Sequence, residues 1–189
     1  MLEKLHTPRW AWVLTGSGHF FTESFELIHG LEHCDVFVSK AANEVLRMYK
    51  LKLDFPETMR VLHDKTASAV PVGLLYDHHY HTVVIAPATS NTVAKCACGI
   101  SDSLPTNMLA QAGKLGIPGI VFACDTEPVV VTMSPHGWVR LMPRNIELEN
   151  VERLRGVDHV RVACSIEQLR DELDRRLVEC DLAWNTSSS

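Results

Sequence analysis

Thr82-Val83-Val84-Ile85-Ala86, followed directly by Pro87-Ala88-Thr89-Ser90-Asn91-Thr92-Val93-Ala94-Lys95, is the stretch on which the fold turns. Its first five residues are mostly β-branched and do not alternate with polar ones, which is the composition of a parallel strand covered on both faces. Thr89 to Thr92 then place four consecutive hydrogen-bonding side chains where the strand gives way to a helix. Donors gathered at a helix N-terminus suit a phosphate and a polyol better than they suit packing.

The same strand-then-helix alternation extends in both directions. Upstream, Trp10–Thr15 reads as a buried strand entering Gly16-Ser17-Gly18, and Phe21, Phe25, Ile28 and Leu31 then follow a helical period. Asp35–Ser39 reads as a second strand before a helical Ala41–Met48, whereas Leu51–Asp77, with Pro56 and Pro71, reads as irregular chain around a short helix. Downstream, a helix over Asn107–Lys114 leads through Gly116 to a strand at Ile117–Ala123. Val129–Thr132 and Trp138–Leu141 read as short strands around the turn at 134–137, followed by a helix over Ile146–Leu154 and a strand at His159–Ala163. The last helix starts at Ser165, an N-cap with Gln168 at the capping-box position, and runs to about Val178. This order predicts an α/β single domain, a doubly wound, mainly parallel sheet with helices on both faces, over residues 1–184, with 185–189 a short polar tail.

Composition agrees with one globular domain. At 189 residues, 46% of them hydrophobic, the chain should bury roughly 70% of its unfolded surface, and its 10 glycines and 9 prolines are dispersed. A formal charge of −5 argues against nucleic acid or an anionic membrane as the main partner, while leaving room for a local cationic pocket. No apolar run approaches the ~20 residues of a membrane span, and Met1–Trp12 lacks the apolar core of a signal peptide, so a cytoplasmic location is expected. The 6 cysteines then read as reduced thiols, most of them small core residues.

Ligands of doubly wound sheets bind beyond the carboxyl ends of the strands, which singles out three turns. At Thr15-Gly16-Ser17-Gly18 the glycines let a backbone approach an anion, and they fit a plain tight turn equally well. The full dinucleotide fingerprint is missing, because Phe21 stands where its third glycine belongs. At Ser39-Lys40-Ala41-Ala42 a hydroxyl and small residues fit a ribityl chain or ring, and Ser39 fits a helix N-cap just as well. The third turn, Thr89–Thr92, is the most specific.

The run from Ala86 to Lys95, continued by Gly99-Ile100-Ser101-Asp102-Ser103-Leu104, resembles the signature of the homo-oligomeric flavin-containing cysteine decarboxylase family of flavoproteins. The turns at Thr15–Gly18 and Ser39–Ala42 resemble that family's other flavin-contacting turns in the same order, so the likeness covers about residues 11–125. It implies a Rossmann-like, FMN-binding flavoprotein domain with noncovalent FMN held near a subunit interface of a trimer, and trimers that assemble into larger closed particles. Carried over by position, Gly16, Ser17, Gly18 and Ser39 would lie against FMN, and Thr89, Ser90, Asn91 and Thr92 would hold its phosphate and ribityl oxygens. Asp125 or Thr126 would add a contact from the next turn, and no cation helps the phosphate, leaving backbone N–H groups and hydroxyls to hold it.

Within the family, decarboxylases carry a Pro-x-Met-Asn clamp where this chain reads Pro128-Val129-Val130-Val131-Thr132-Met133, with no Met-Asn pair. Prenyl-transferring members carry Lys where Asn91 stands. Within the family, the chain most resembles the dihydromethanopterin reductases and related archaeal-type flavoproteins, especially across Val83–Asp125. It implies reduction of dihydromethanopterin to tetrahydromethanopterin by hydride transfer from reduced flavin, in one-carbon metabolism, with an external electron donor. The alternatives are an FMN electron-transfer protein or a decarboxylase or prenyltransferase of the same family. No catalytic acid is identified.

Asp77-His78-His79-Tyr80-His81 offers at most two histidines on one face of an extended segment, so no metal is assigned. Decarboxylating relatives keep a catalytic His upstream of this strand, which leaves these three as candidates to lie near the flavin. Cys96 and Cys98, two apart on a helix, do not face one another and have no partners for an iron–sulfur cluster. Trp138, Arg140 and Arg144 fit either a pterin-contacting face or a packed Trp beside two solvated arginines.

Overall fold

The computed structural model describes residues 8–65, 70–77, 79–134 and 136–186. Its centre is a six-stranded parallel sheet, β1 (Arg9–Leu14), β2 (Cys34–Val38), β3 (Val61–His63), β4 (Tyr80–Ala88), β5 (Gly119–Ala123) and a final strand, β8 (Val160–Ala163). In space the strands run β3-β2-β1-β4-β5-β8, so the order reverses between β1 and β4. Trp12 pairs with Val36 on one side and Val84 on the other, fixing the register at that switch point.

Each central strand is apolar throughout because it feeds two cores. Ala11, Val13, Val83, Ile85 and Val121 point to one face, where Val93 of α3 (Ser90–Ala97) and Met108 and Leu109 of α4 (Leu104–Lys114) cover them. Val151 and Leu154 of α5 (Asn145–Arg155) join the same cluster. Trp10, Trp12, Leu14, Val84 and Phe122 alternate to the opposite face. There they meet Phe21 and Ile28 of α1 (Phe21–His29), Val45 and Leu46 of α2 (Lys40–Met48), and Leu169 and Leu173 of α6 (Ile166–Thr186). This is the two-period signature of strands buried on both faces, and it gives the Rossmann-like, doubly wound single domain that the alternation predicts.

At the amino ends of the strands a buried ion cluster pins the sheet. The Asp35 side chain is fully buried, accepting from Arg9 at 2.7 Å, Arg60 at 2.6 Å and Tyr80 at 2.8 Å. These donors come from β1, from the residue before β3, and from β4, so one carboxylate ties four strands together.

Three departures from the sequence reading stand out. β3 lies within the stretch read as irregular and pairs in parallel with β2, while the short helix expected in that stretch is the 3-10 helix over Val70–Asp77. The two short strands, β6 (Val130–Ser134) and β7 (Gly137–Leu141), pair with each other as an antiparallel hairpin outside the main sheet. α6 runs to Thr186, beyond Val178 and into the segment read as a tail. At its start Ser165 Oγ accepts from the Gln168 N–H at 3.2 Å, but the Gln168 side chain takes the Cys164 N–H instead of completing a capping box on Ser165. No helix among the described residues is long and apolar enough to cross a membrane.

Candidate functional site

A cavity of about 440 Å³ lies beyond the carboxyl ends of β1, β2 and β4, at the switch point. Three helices begin on it. Ser39 caps α2, its Oγ accepting from the Ala42 N–H at 3.1 Å. Thr89 caps α3, its Oγ1 accepting from the Thr92 N–H at 3.2 Å. Ser103 precedes α4, its N–H donating to Thr106 Oγ1 at 3.0 Å. All three caps line the cavity, so three positive helix ends face one space, an arrangement that favours an anion.

Thr15 fixes the first turn against the third. Its buried Oγ1 donates to the Pro87 carbonyl at 2.6 Å and accepts the Thr89 N–H at 3.3 Å. Gly16 lies so close to α2 that an added Cβ would stand 2.7 Å from the Ala41 Cβ. Gly18 plays a different part. A Cβ there would meet the Tyr49 hydroxyl, which donates to the Met133 carbonyl and so ties α2 to the hairpin.

Of the residues singled out from sequence, Gly16, Ser39, Thr89, Asn91 and Thr92 line this cavity together. Ser17, Gly18, Ser90 and Asp125 are not in its lining and act beneath it. The Ser17 hydroxyl is buried, 3.4 Å from Cys124 Sγ and 3.2 Å from the His19 carbonyl. Ser90 hydrogen-bonds to the Asp125 carboxylate, which braces the α3 turn against the end of β5. Burial pushes the Cys124 thiol up to about 12, so it stays protonated and serves as packing.

Sequence reasoning missed part of the lining. Lys40, the first residue of α2, stands in it and supplies the cation that the turns were read as lacking. Asp64, just after β3, also lines it, and its Oδ1 is buried without a hydrogen-bond partner among the described residues. Asp102 was not missed, since it lies within the quoted motif continuation: it lines the cavity, and its carboxylate pairs with Lys95 at 2.8 Å. Lys40 was legible within the quoted second turn, whereas Asp64 follows a strand too short to read.

The histidines before β4 belong elsewhere. His81 enters at the amino end of β4, roughly 26 Å along the strand from Thr89 at ~3.3 Å per residue. Its ring packs edge-on to Trp10 at 4.5 Å, and its Nδ1 meets Thr82 Oγ1 at 2.8 Å. His79 lies at the same end, and His78 falls outside the described residues. No group of three or more His, Cys, Asp or Glu side chains gathers at metal-binding distance among the described residues. Cys96 is buried and Cys98 exposed beside Arg153, so the two do not converge. Trp138 is not packed: it is 71% exposed on β7, opposite Met133.

The site suits a flavin mononucleotide. A phosphate fits the three helix ends and Lys40, a ribityl chain fits the hydroxyls and the unpartnered Asp64 oxygen, and Gly16 opens the backbone to close approach.

Comparison with known proteins agrees. The chain is 35% identical over 161 residues to an uncharacterized protein of Methanocaldococcus jannaschii, covering 80% of this chain and 87% of that protein. It is 35% identical over 153 residues to a dihydromethanopterin reductase (acceptor) of Methanosarcina mazei, covering 74% of this chain but only 64% of the reductase. Among solved structures, DmrB of Burkholderia xenovorans in complex with FMN, described as a cubic protein cage for redox transfer, superposes with a TM-score of 0.86. It is 57% identical, over 94% of this chain and 99% of that one. Residues 1–177 match the family described as Flavoprotein, and with the cavity, its helix ends and its glycine turn in place, the chain belongs to that family.

Proposed function

We propose that the protein is an FMN-dependent oxidoreductase that reduces dihydromethanopterin to tetrahydromethanopterin. The observation that carries this reading is the convergence of three helix N-termini, Lys40 and a hydroxyl cluster on one cavity, in a chain 57% identical to a DmrB that holds FMN. The M. mazei relative supports the pterin, although this chain spans less than two thirds of that reductase.

Reduced FMN, when bound, supplies the hydride that a pterin C=N bond accepts. The chain's own residues do the rest by positioning. Thr89, Thr92 and Ser39 present capped helix ends to the phosphate, with Lys40 adding a full charge. Asn91, exposed at the cavity, would donate to or accept from the ribityl hydroxyls, and the Asp64 Oδ1 would accept from one of them. Ser17, Ser90 and Asp125 hold the two turns rigid from below.

The decarboxylase alternative lacks support, because the segment after β5 has no Met-Asn pair and forms instead a hairpin with Met133 and Trp138 exposed. An external electron donor would reload the flavin. Homo-oligomerisation fits the DmrB cage and the apolar hairpin.

An anaerobic experiment tests the reaction. The flavin of the FMN-loaded protein is photoreduced, dihydromethanopterin is added, and absorbance of oxidised flavin is followed. Rapid return of that absorbance is expected. A flavin that stays reduced overturns the pterin reading, and a protein that takes up no FMN overturns the cofactor reading.

A further inference from the structure

A second cavity, of about 590 Å³, opens beside the flavin pocket, and Asp64 lines both. It lies between the last turn of α2 and the end of β3. Leu46 and Leu51 contribute its apolar floor, the Leu51 N–H closing on the Leu46 carbonyl at 2.9 Å. Arg47, Lys50, Lys52 and Lys65 stand around it.

These four cations are exposed, and among the described residues none lies within salt-bridge distance of a carboxylate. Of the other described cations, Arg9, Arg60, Lys95, Arg144, Arg155, Arg161, Arg175 and Arg176 pair with a carboxylate, while the unpaired Lys40, Lys114, Arg140, Arg153 and Arg170 are spread over separate elements. Four unpaired cations around one groove, in a chain of net charge −5, are thus a local concentration of positive charge. The α2 dipole accounts for basic residues at its own carboxyl end, Arg47 and Lys50, but not for Lys52 and Lys65 beyond it. The lining's one carboxylate, Asp64, offsets one charge of the four.

We propose that this groove receives the anionic tail, phosphate or carboxylate, of the molecule that exchanges electrons with the flavin. The inference rests on the pterin reading above: dihydromethanopterin carries an acidic tail beyond its reducible ring, and a groove that adjoins the flavin pocket, sharing Asp64 with it, is placed to hold that tail while the ring meets the flavin. Leu46 and Leu51 accept the apolar part of such a tail, and the cations its charges. The groove thus makes tail charge, not ring chemistry, the basis of discrimination.

The test uses FMN-loaded protein and the double variant Lys52→Ala/Lys65→Ala. Both side chains are exposed, and Lys50 is left alone because its φ of 55° makes substitution a backbone question as well. Lys114→Ala, on α4 and outside both cavities, is the control. Inorganic pyrophosphate is titrated calorimetrically, and KM is measured for dihydromethanopterin and for 6-methyl-7,8-dihydropterin, which has no tail. The wild type and control are expected to bind pyrophosphate with an affinity that falls as salt rises, and the double variant to lose at least roughly fivefold of it. The variant's KM for dihydromethanopterin should rise by a similar factor while KM for the tailless pterin stays within twofold. Equal pyrophosphate binding by variant and wild type overturns the proposal, as does a parallel rise in both KM values. Release of FMN from the variant overturns it too, by placing the groove in the cofactor site. If neither pterin reoxidises the wild-type flavin, the pterin reading falls, and the pyrophosphate titration still decides whether the groove takes anions.

Discussion

At Gly16 a single added carbon separates a working turn from an overfilled one. The Cβ of Gly16→Ala would stand 2.7 Å from that of Ala41, a distance real Cβ atoms do not tolerate. Both residues line the flavin cavity, so relief must come from moving β1's turn away from α2. Overpacking of this kind costs about 1–3 kcal/mol, and here it also displaces the cap at Ser39. Gly16→Ala is expected to lower the melting temperature and weaken FMN binding at least several-fold. Adding Ala41→Gly removes the opposing carbon and should restore FMN affinity, at the cost of about 1 kcal/mol for a glycine in a helix. Fluorescence titration of FMN into both variants checks this; a double variant as weak as Gly16→Ala would show that the contact with Ala41 is not what makes glycine necessary.

Elements with a strong pattern were legible, and the rest were not, for reasons of length and sequence distance. β4 and its turn were readable because a β-branched run meets four consecutive hydrogen-bonding residues. β3 was not, because Val61-Leu62-His63 is three residues long and is held by β2's register, not by any pattern of its own. Asp64 was lost with it, and so was the third of the cationic groove that the end of β3 supplies, the rest coming from α2 and the loop after it. The hairpin was legible as two strands around a turn, but not that its face would lie bare. Val131, Met133, Trp138, Leu141 and Met142 are all exposed, with Met142 at 74%. An apolar arm this open on a two-stranded ribbon, which is marginal alone, is expected to pack against another subunit. Trp138→Asp/Met142→Asp is expected to keep the far-UV circular dichroism of the wild type while light scattering on a sizing column reports a smaller assembly. An unchanged mass would place the subunit contacts elsewhere.

For the molecule as a whole, the largest resolved histidine contribution to acid stability lies at the end of the sheet opposite the site. His81 is wedged between Trp10 and α6, where Arg176 donates to its carbonyl at 3.0 Å and to Thr82 Oγ1 at 2.9 Å, and Cys180 Sγ lies 3.3 Å from its Nδ1. Burial, helped by the Arg176 charge, holds the imidazole down at about 4. The unfolded chain takes up this proton near pH 6.5, whereas the folded chain refuses it until about pH 4. Stability is therefore full above pH 6.5 and declines as pH falls through that window, by about 3 kcal/mol at most. His19 acts in the same direction, burial outweighing the attraction of Asp125 and Glu23. Asp35 acts later. Burial alone would raise its carboxyl, but the hydrogen bonds from Arg60, Arg9 and Tyr80 outweigh it and leave the group below the usual carboxylate range. Its contribution persists above the unfolded pKa of about 3.9 and is lost as pH falls through the lowered folded value, below the His81 window. Urea unfolding of the FMN-loaded protein between pH 7 and pH 3 should then show two successive losses. His81→Gln, which cannot titrate, should reduce the first to the part that His19 contributes and leave the second. A variant whose stability still falls as steeply between pH 6.5 and 4 would shift the origin of acid sensitivity away from the β4–α6 contact.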